Sequence, residues 1–330
     1  MNIIIINLIR VNKKKRKGYM GKRIIVAGGT GFIGRALINE LIRLKYEVVV
    51  LTRNIEKGKF IFGNSAVIEE WDGATSRGWG YLADNSHAII NLAGESVAKW
   101  PWNKKAKEKI ISSRINSVRS INQAVIEAKI KPKVLILGTA IGFYGAIKEK
   151  IIYNEKTPNG TGFLPEVVKL WEDELDHNKI FKIRKVILRT GVVLGLKDGM
   201  LSKLYKSFRF FSGGHFGNGN QGVSWIHEKD EINAIIFLME KSSMSGVFNL
   251  CSPNPVSAGD FSKTLGEIMN RPSWLHPPSF FIKMVFGQMG EEVLLNGLYV
   301  IPERLLKAGF KFQYPHLEMA LRDLIKRNRN

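Results

Sequence analysis

The sequence predicts an α/β protein: a doubly wound parallel sheet with a smaller, irregular C-terminal part on the substrate side. Three observations carry that expectation. Short apolar runs recur up to residue 194, and segments of helical spacing stand between them. The runs are almost continuously apolar, as strands covered on both faces must be. The first run enters a glycine-rich turn, "AGGTGFIG", which opens the first helix.

"RIIVA", from Arg23, is the first strand. "FIGRALINELIRLK" follows, with Ile33, Leu37, Ile38, Leu41 and Leu44 on one helical stripe, and "EVVVL" is the second strand. A strand, a helix and a strand within about 30 residues form a βαβ unit, which implies parallel pairing. "AVIE" and "AIINLA" are the next strands. A long helix runs through "NKKAKEKIISSRINSVRSINQAVIEAKI" and stops before Pro132. "KVLILG", the helix "FLPEVVKLWEDELDHN" and the strand "KVILRTGVVLG" complete the alternation. Beyond it, "FFSGGHFGNGNQG" and "HPPSFFIKMVFGQMG" lose the rhythm. The chain is therefore divided into a basic tail (1–19), a dinucleotide-binding domain (20–194 and 222–250) and a substrate-side part (195–221 and 251–330).

Lys and Arg outnumber Asp and Glu by 50 to 29, a net charge of +21. Such a charge attracts polyanions, but the lysines are dispersed and no nucleic-acid module is present, so no specific nucleic-acid partner is expected. The single cysteine, Cys251, excludes an internal disulfide and fits a reducing compartment such as the cytoplasm. The tail "MNIIIINLIRVNKKKRKGYM" places its apolar run before its basic run, the reverse of a secretory signal, and the run is too short to span a membrane. Organellar targeting stays open, since no acidic residue precedes Glu40. So does a membrane-surface role for the basic tail.

The glycine turn carries the cofactor expectation. Gly28, Gly31 and Gly34 form G-x-x-G-x-x-G between a strand and a helix. The first permits the tight turn, the second lets the backbone approach a pyrophosphate, and the third allows close helix packing. The backbone of Thr30, Gly31, Phe32 and Ile33 then faces the phosphates at the helix start. The second strand ends in Thr52-Arg53-Asn54, with no carboxylate for a ribose 2′-hydroxyl. A hydroxyl and a guanidinium there suit a 2′-phosphate, which favours NADP(H) over NAD(H). Asp72 stands at the adenine side or in a turn. "NLAG" ends its strand with small residues, among them Gly94, as close backbone approach to a cofactor requires.

The order of these motifs resembles the extended short-chain dehydrogenase/reductases. "NLAGESVA", "SRINS", "LRTGVVLG", "SWIHEKD" and "VIPERLLKAGFKFQYP" look like its atypical epimerase-family branch, whose members are often labelled NAD-dependent epimerase/dehydratase or cell-division-inhibitor-like. The resemblance covers about residues 22–325. It implies a Rossmann-type fold, with Thr52 and Arg53 at the 2′-phosphate and Leu92 and Ala93 along the cofactor. It also implies Val193 at the nicotinamide end and Arg114 as a second cation near the cofactor, or else an arginine on the helix surface.

In ordinary members a Ser or Thr, a Tyr and a Lys four residues beyond it carry the proton transfers. Here the hydroxyl position falls on Ala140, with Thr139 one residue early, and the following helix, "PEVVKLWEDEL", has no tyrosine, with Trp171 and Glu172 in that neighbourhood. Tyr144 and Lys148 have the spacing but lie in a loop broken by Gly145, which removes the helical reason for it. The catalytic candidates are Thr139, Tyr144 and Glu172. Glu172 serves as acid or base if burial raises its pKa, or is one charge of a solvated face. His227 fixes a loop or lines the pocket. The six histidines show no metal spacing. The expectation is an NADP-dependent oxidoreductase or epimerase acting on a small substrate, either free or sugar- or nucleotide-linked, as a monomer or homodimer. The alternative is a non-catalytic NADP(H)-binding, redox-responsive regulator.

Overall fold

The computed structural model describes residues 21–145, 151–176 and 183–329. The basic tail, the start at Met20 and Lys148 lie outside the described residues.

The elements follow the chain as β1 (Arg23–Ala27), α1 (Phe32–Arg43), β2 (Glu47–Thr52), α2 (Ile55–Phe62), β3 (Val67–Glu70), β4 (Ala88–Asn91), α3 (Lys104–Glu127) and β5 (Val134–Ala140). Then come β6 (Ile152–Tyr153), α4 (Phe163–Asp176), β7 (Arg184–Thr190), β8 (Val192–Leu194), α5 (Gly199–Arg209), β9 (Gly222–Val223), β10 (Trp225–His227), α6 (Glu228–Glu240) and β11 (Gly246–Leu250). The remainder is β12 (Val256–Ser257), α7 (Ala258–Met269), α8 (Ser279–Met289), β13 (Tyr299–Val300), α9 (Glu303–Lys307) and α10 (Leu317–Arg329).

The main sheet has the order β3-β2-β1-β4-β5-β7-β11, and every pair in it is parallel. Alternation within each strand explains its two cores. In β1, Ile24 and Val26 face one side, with Leu37, Ile38 and Leu41 of α1 and Ile235 and Leu238 of α6. Ile25 and Ala27 face the other, with Val118, Ile121 and Val125 of α3 and Trp171 and Leu175 of α4. The chain runs outward from β1 to β3 and then returns to β4 on the opposite side of β1. That reversal opens a crevice above the strand ends, where ligands bind in such sheets.

The local signals act as expected at the helix starts. Asn54 caps α2 by accepting the Lys57 N–H, and Asn103 caps α3 by accepting the Ala106 N–H. The "KVILRTGVVLG" run is two strands, not one. It breaks at Gly191, and β8 leaves the sheet to pair with β10. At the break the Gly191 N–H still donates to Leu250 while the Val192 N–H donates to the Ser224 carbonyl, and glycine admits that approach, since a Cβ on Gly191 would lie 2.4 Å from the same oxygen.

The C-terminal part rests on helices joined by the glycine- and proline-rich loops that give it an irregular texture in sequence. Leu201 and Phe208 of α5, Phe261 and Leu265 of α7, and Leu321 and Leu324 of α10 form a third core. No helix among the described residues is long and apolar enough to cross a membrane.

Candidate functional site

A cleft of about 580 Å³ lies over the reversal point. Its floor is the glycine turn. Gly28 has φ +78°, and a Cβ there would sit 2.7 Å from the Leu92 carbonyl, so only glycine lets the turn meet the loop after β4. Gly34 serves packing: a Cβ on it would lie 2.5 Å from the Gly28 carbonyl oxygen. The N-cap of α1 is Gly31, which offers no side-chain cap, and no acidic residue stands in the first turn. The first amides of α1 therefore lack an internal anion, and the helix dipole adds positive charge beside them.

The loop after β4 is held from below. Asn91 is buried, donates to the Ser117 hydroxyl at 3.0 Å and accepts the Ala93 N–H at 3.0 Å. The Glu95 N–H donates to Ser113. These bonds fix Leu92, Ala93 and Gly94 along the cleft wall.

Nine of the expected cofactor residues line this cleft: Gly28, Thr30, Gly31, Thr52, Arg53, Asp72, Leu92, Ala93 and Gly94. Thr52 Oγ1 accepts the Asn54 N–H at 3.2 Å, which orders the end of β2 beneath the exposed Arg53. Asp72 is a turn residue as well as a wall residue. Its carboxylate accepts the Ala74 and Thr75 N–H groups at 2.7 and 2.8 Å and the Thr75 hydroxyl at 2.8 Å. Burial opposes its charge, but these donors outweigh it and hold its pKa below the ordinary value.

The other five lie off the wall. Gly34 packs α1, as expected. The Ile33 side chain packs into the core with Val193. The Phe32 ring fills the space beside Gly195, where a Cβ would come within 2.4 Å of it. Arg114 lies behind Gly94, with its guanidinium carbon 5.0 Å from the centre of the Trp171 ring. Lys57 and Lys109 line the cleft and were not anticipated. Lys57 was legible, since it stands one helical turn beyond Arg53. Lys109 was hidden among the many lysines of α3.

Thr139, Tyr144 and Glu172 do converge, but on a residue that the sequence reading passed over. Arg189 of β7 donates to Glu172 through Nε at 2.9 Å and Nη2 at 2.6 Å. Thr139 donates to the same carboxylate at 3.0 Å. Arg189 Nη1 donates to the Tyr144 oxygen at 3.2 Å, and the Tyr144 hydroxyl donates to Asn249 Oδ1 at 2.7 Å. The Phe143 ring covers the guanidinium at 3.3 Å. All five polar side chains are less than 9% exposed. Burial, opposed by Arg189 and Asn249, raises the Tyr144 pKa. Glu172 is thus neither a solvated surface charge nor an open proton carrier: it is one half of a buried ion pair. None of the three lines the cleft or the cavity described next.

That cavity, of about 380 Å³, lies between Gly142 and Gly145 after β5, the start of α4, and residues 288–298 of the C-terminal part. Glu292 reaches across it and accepts the Phe163 and Leu164 N–H groups at 3.1 and 2.8 Å, so a carboxylate from the C-terminal part caps α4.

His227 is fully buried and caps α6. Its Nδ1 accepts the Lys229 N–H at 3.0 Å, so Nε2 carries the proton and faces Asp323 at 3.2 Å. Burial first, then the charges of Arg327 and Lys229, lower its pKa to about 3. It fixes a loop as a neutral ring. Among the described residues no three His, Cys, Asp or Glu side chains gather as a metal site would require.

Residues 24–251 match the model of the NAD dependent epimerase/dehydratase family, and residues 277–324 match a domain of unknown function, DUF1731. The chain is 36% identical over 304 residues to the epimerase family protein YfhF of Bacillus subtilis, covering 92% of this chain and 97% of the relative. It is 37% identical over 311 residues to the chloroplastic epimerase family protein SDR39U1 homolog of Arabidopsis thaliana, covering 92% and 86%. Its fold matches the crystal structure of human epimerase family protein SDR39U1 with NADPH at a TM-score of 0.82 and 29% identity, covering 92% and 99%. A UDP-glucose 4-epimerase from Thermotoga maritima shares the fold at a TM-score of 0.74 and 17% identity, covering 93% of this chain and 100% of that one. With its Rossmann-type sheet, its glycine turn and its C-terminal helical part, the chain belongs to the NAD dependent epimerase/dehydratase family.

Proposed function

We propose that the chain binds NADP(H) in the cleft and acts as an oxidoreductase or epimerase on a small molecule held on the substrate side. The observation that carries this reading is the uncapped start of α1 above Gly28, a ready pyrophosphate cradle. Thr30, Gly31, Phe32 and Ile33 present backbone amides to the phosphates, and Leu92, Ala93 and Gly94 guide the cofactor by their backbone. Arg53, with Thr52 and Lys57, receives the 2′-phosphate. Asp72 shapes the adenine side through its turn, and Val193 closes the nicotinamide end beside Phe32. The human relative solved with NADPH supports the choice of dinucleotide.

A bound nicotinamide would supply hydride transfer. The cavity beside Gly142 and Gly145 seats the substrate and sets its orientation. Thr139, Tyr144 and Glu172 act through Arg189 by holding the end of β5 against α4. The burial of this network also favours a second reading, a redox-responsive NADP(H)-binding regulator without turnover. Cys251, buried and with its thiol pKa pushed up by burial, fits a reducing compartment, the cytoplasm or an organelle interior.

The test is a titration of the full chain with NADPH and NADH, beside Arg53→Ala. Tight NADPH binding, weaker NADH binding and a loss confined to NADPH in the variant support the reading. Equal affinity for both cofactors sinks the NADP preference. NADPH oxidation in the presence of carbonyl compounds then separates the enzyme from the regulator.

A further inference from the structure

α8 is apolar on two sides. Ile282 faces the protein and is buried. Phe280, Phe281, Met284 and Val285 share another side at helical spacing and face outward, with Phe280 70% and Met284 71% exposed. The helix carries one cation, Lys283, which Glu291 pairs at 2.7 Å. A helix apolar all round belongs in a core or against an apolar partner.

A second apolar surface leads into it. The loop after α5 and the loop before α8 run side by side. The Gly213 carbonyl accepts the Trp274 and Leu275 N–H groups at 3.1 and 3.0 Å, and the Gly217 N–H donates to the Pro277 carbonyl at 2.9 Å. Phe210 and Phe211 on one loop, and Trp274 and Leu275 on the other, are exposed, Phe210 by 81% and Trp274 by 62%. The Trp274 indole N–H donates to the Phe211 carbonyl at 2.8 Å, so its ring can enter an apolar medium with no donor left bare. Single exposed apolar residues need no explanation, but a gathering of this kind marks an interaction surface.

The rim of this surface is cationic. Lys206 and Lys203 stand one and two helical turns before Phe210 on α5, Arg209 adjoins it, and all three are exposed. The Arg271 guanidinium lies 4.5 Å from the centre of the Phe211 ring, and Lys263 shares a surface groove with Arg271 and with one carboxylate, Glu267. Lys203, Lys206, Arg209 and Lys263 form no ion pair with another described residue. A second copy of the chain does not suit this rim, because a self-complementary contact brings the same cations together. A nucleic acid would pair with the cations and leave the α8 face in water. A lipid surface with anionic headgroups satisfies both, taking the apolar side chains at its acyl boundary and the cations at its phosphates.

We propose that this face docks on an anionic lipid surface, with Phe210, Phe211, Trp274 and the outer side of α8 entering the headgroup boundary and Lys203, Lys206 and Arg209 meeting lipid phosphates. None of these residues lines the dinucleotide cleft.

The test sediments the full chain with vesicles of about one part phosphatidylglycerol to three parts phosphatidylcholine, and with phosphatidylcholine alone. Saturable binding to the anionic vesicles is expected, about tenfold or more weaker to the neutral ones and reduced by high salt. Phe210→Ser combined with Phe280→Ser keeps every charge and should lose about tenfold or more of that binding. Lys203→Gln combined with Lys206→Gln keeps the aromatic rings and should lose about as much. Both double variants change exposed side chains and should bind NADPH as the wild type does. The blue shift of tryptophan fluorescence on vesicles should disappear in Trp274→Phe. Vesicle binding that the double Phe variant leaves unchanged assigns it to general positive charge, the basic tail included, and overturns the proposal. So does a blue shift that persists in Trp274→Phe, which places the contact elsewhere. Absence of binding to either vesicle overturns it and leaves a protein as the occupant. A wild-type dimer in sedimentation equilibrium that the double Phe variant dissociates overturns it as well, by giving the face to a second copy.

Discussion

Arg189 grips Glu172 with two hydrogen bonds, of 2.9 and 2.6 Å, in a pocket where each residue is less than 9% exposed. A pair so deeply desolvated contributes little net stability while intact, yet is costly to break, because the surviving charge is left alone. Glu172→Gln should destabilise the protein by about 3–5 kcal/mol in denaturant unfolding. At temperatures where the variant is folded, NADPH affinity should be retained. A variant of wild-type stability that has lost only turnover would mean that Glu172 is the proton carrier after all.

Gly28→Ala should be more damaging to binding than to folding. Its φ of +78° and the 2.7 Å approach to Leu92 forbid the new methyl without moving the cleft floor. A cost of about 1–3 kcal/mol is expected from the strained backbone, together with loss of measurable dinucleotide binding by calorimetry. Unchanged affinity for both dinucleotides would remove the turn from the site.

Lys57→Ala tests the charge around the expected 2′-phosphate independently of Arg53. NADPH affinity should fall about three- to tenfold, with NADH affected less, and the difference should shrink at high salt. Equal losses for both cofactors would place Lys57 at the pyrophosphate instead.

Glu231 should contribute a loss of stability as the pH rises from 4.5 to 8, opposed below pH 6.5 by His227 and therefore seen in the wild type chiefly from 6.5 to 8. Glu231 is fully buried, one carboxyl oxygen has no partner, and burial lifts its pKa from 4.5 to about 8 despite the Thr190 hydrogen bond. The folded chain therefore holds a proton that the unfolded chain releases across that range, and the penalty is fully developed above the folded pKa. Glu231→Gln should flatten this limb by an amount on the order of 3–5 kcal/mol at pH 9. Parallel pH profiles of urea midpoints for the two proteins would refute it.

His227 acts in the opposite direction. Its pKa falls from 6.5 to about 3 on folding, so the unfolded chain binds the extra proton and stability drains away as the pH drops below 6.5. His227→Asn keeps a capping acceptor for α6 and should shallow the acid limb. If the variant loses stability to acid as steeply as the wild type, the buried ring is not its source.

The sheet was legible because each strand is an apolar run punctuated by turn chemistry, and "AGGTGFIG" named its own place between β1 and α1. The cleft residues followed, since they sit at strand ends fixed by that order. Arg189 was not legible: a lone charge at the end of an apolar strand reads as a surface residue until the partner from α4 is seen. The break at Gly191 depends on the Ser224 backbone, thirty-three residues downstream. The unpartnered indole N–H of Trp171 is an absence, and a sequence pattern does not display it.

Glu292, which closes the start of α4 from 129 residues further along the chain, sets a timetable as well as a contact. Domains mature as the chain is synthesised, from the N-terminus onward. Every strand of the main sheet precedes residue 251, so the dinucleotide cleft can assemble while the C-terminal part is still being made. The cavity beside it gains its far wall only when residues 288–298 arrive. The far wall of that cavity is thus the last part of the molecule's ligand-facing surface to be made.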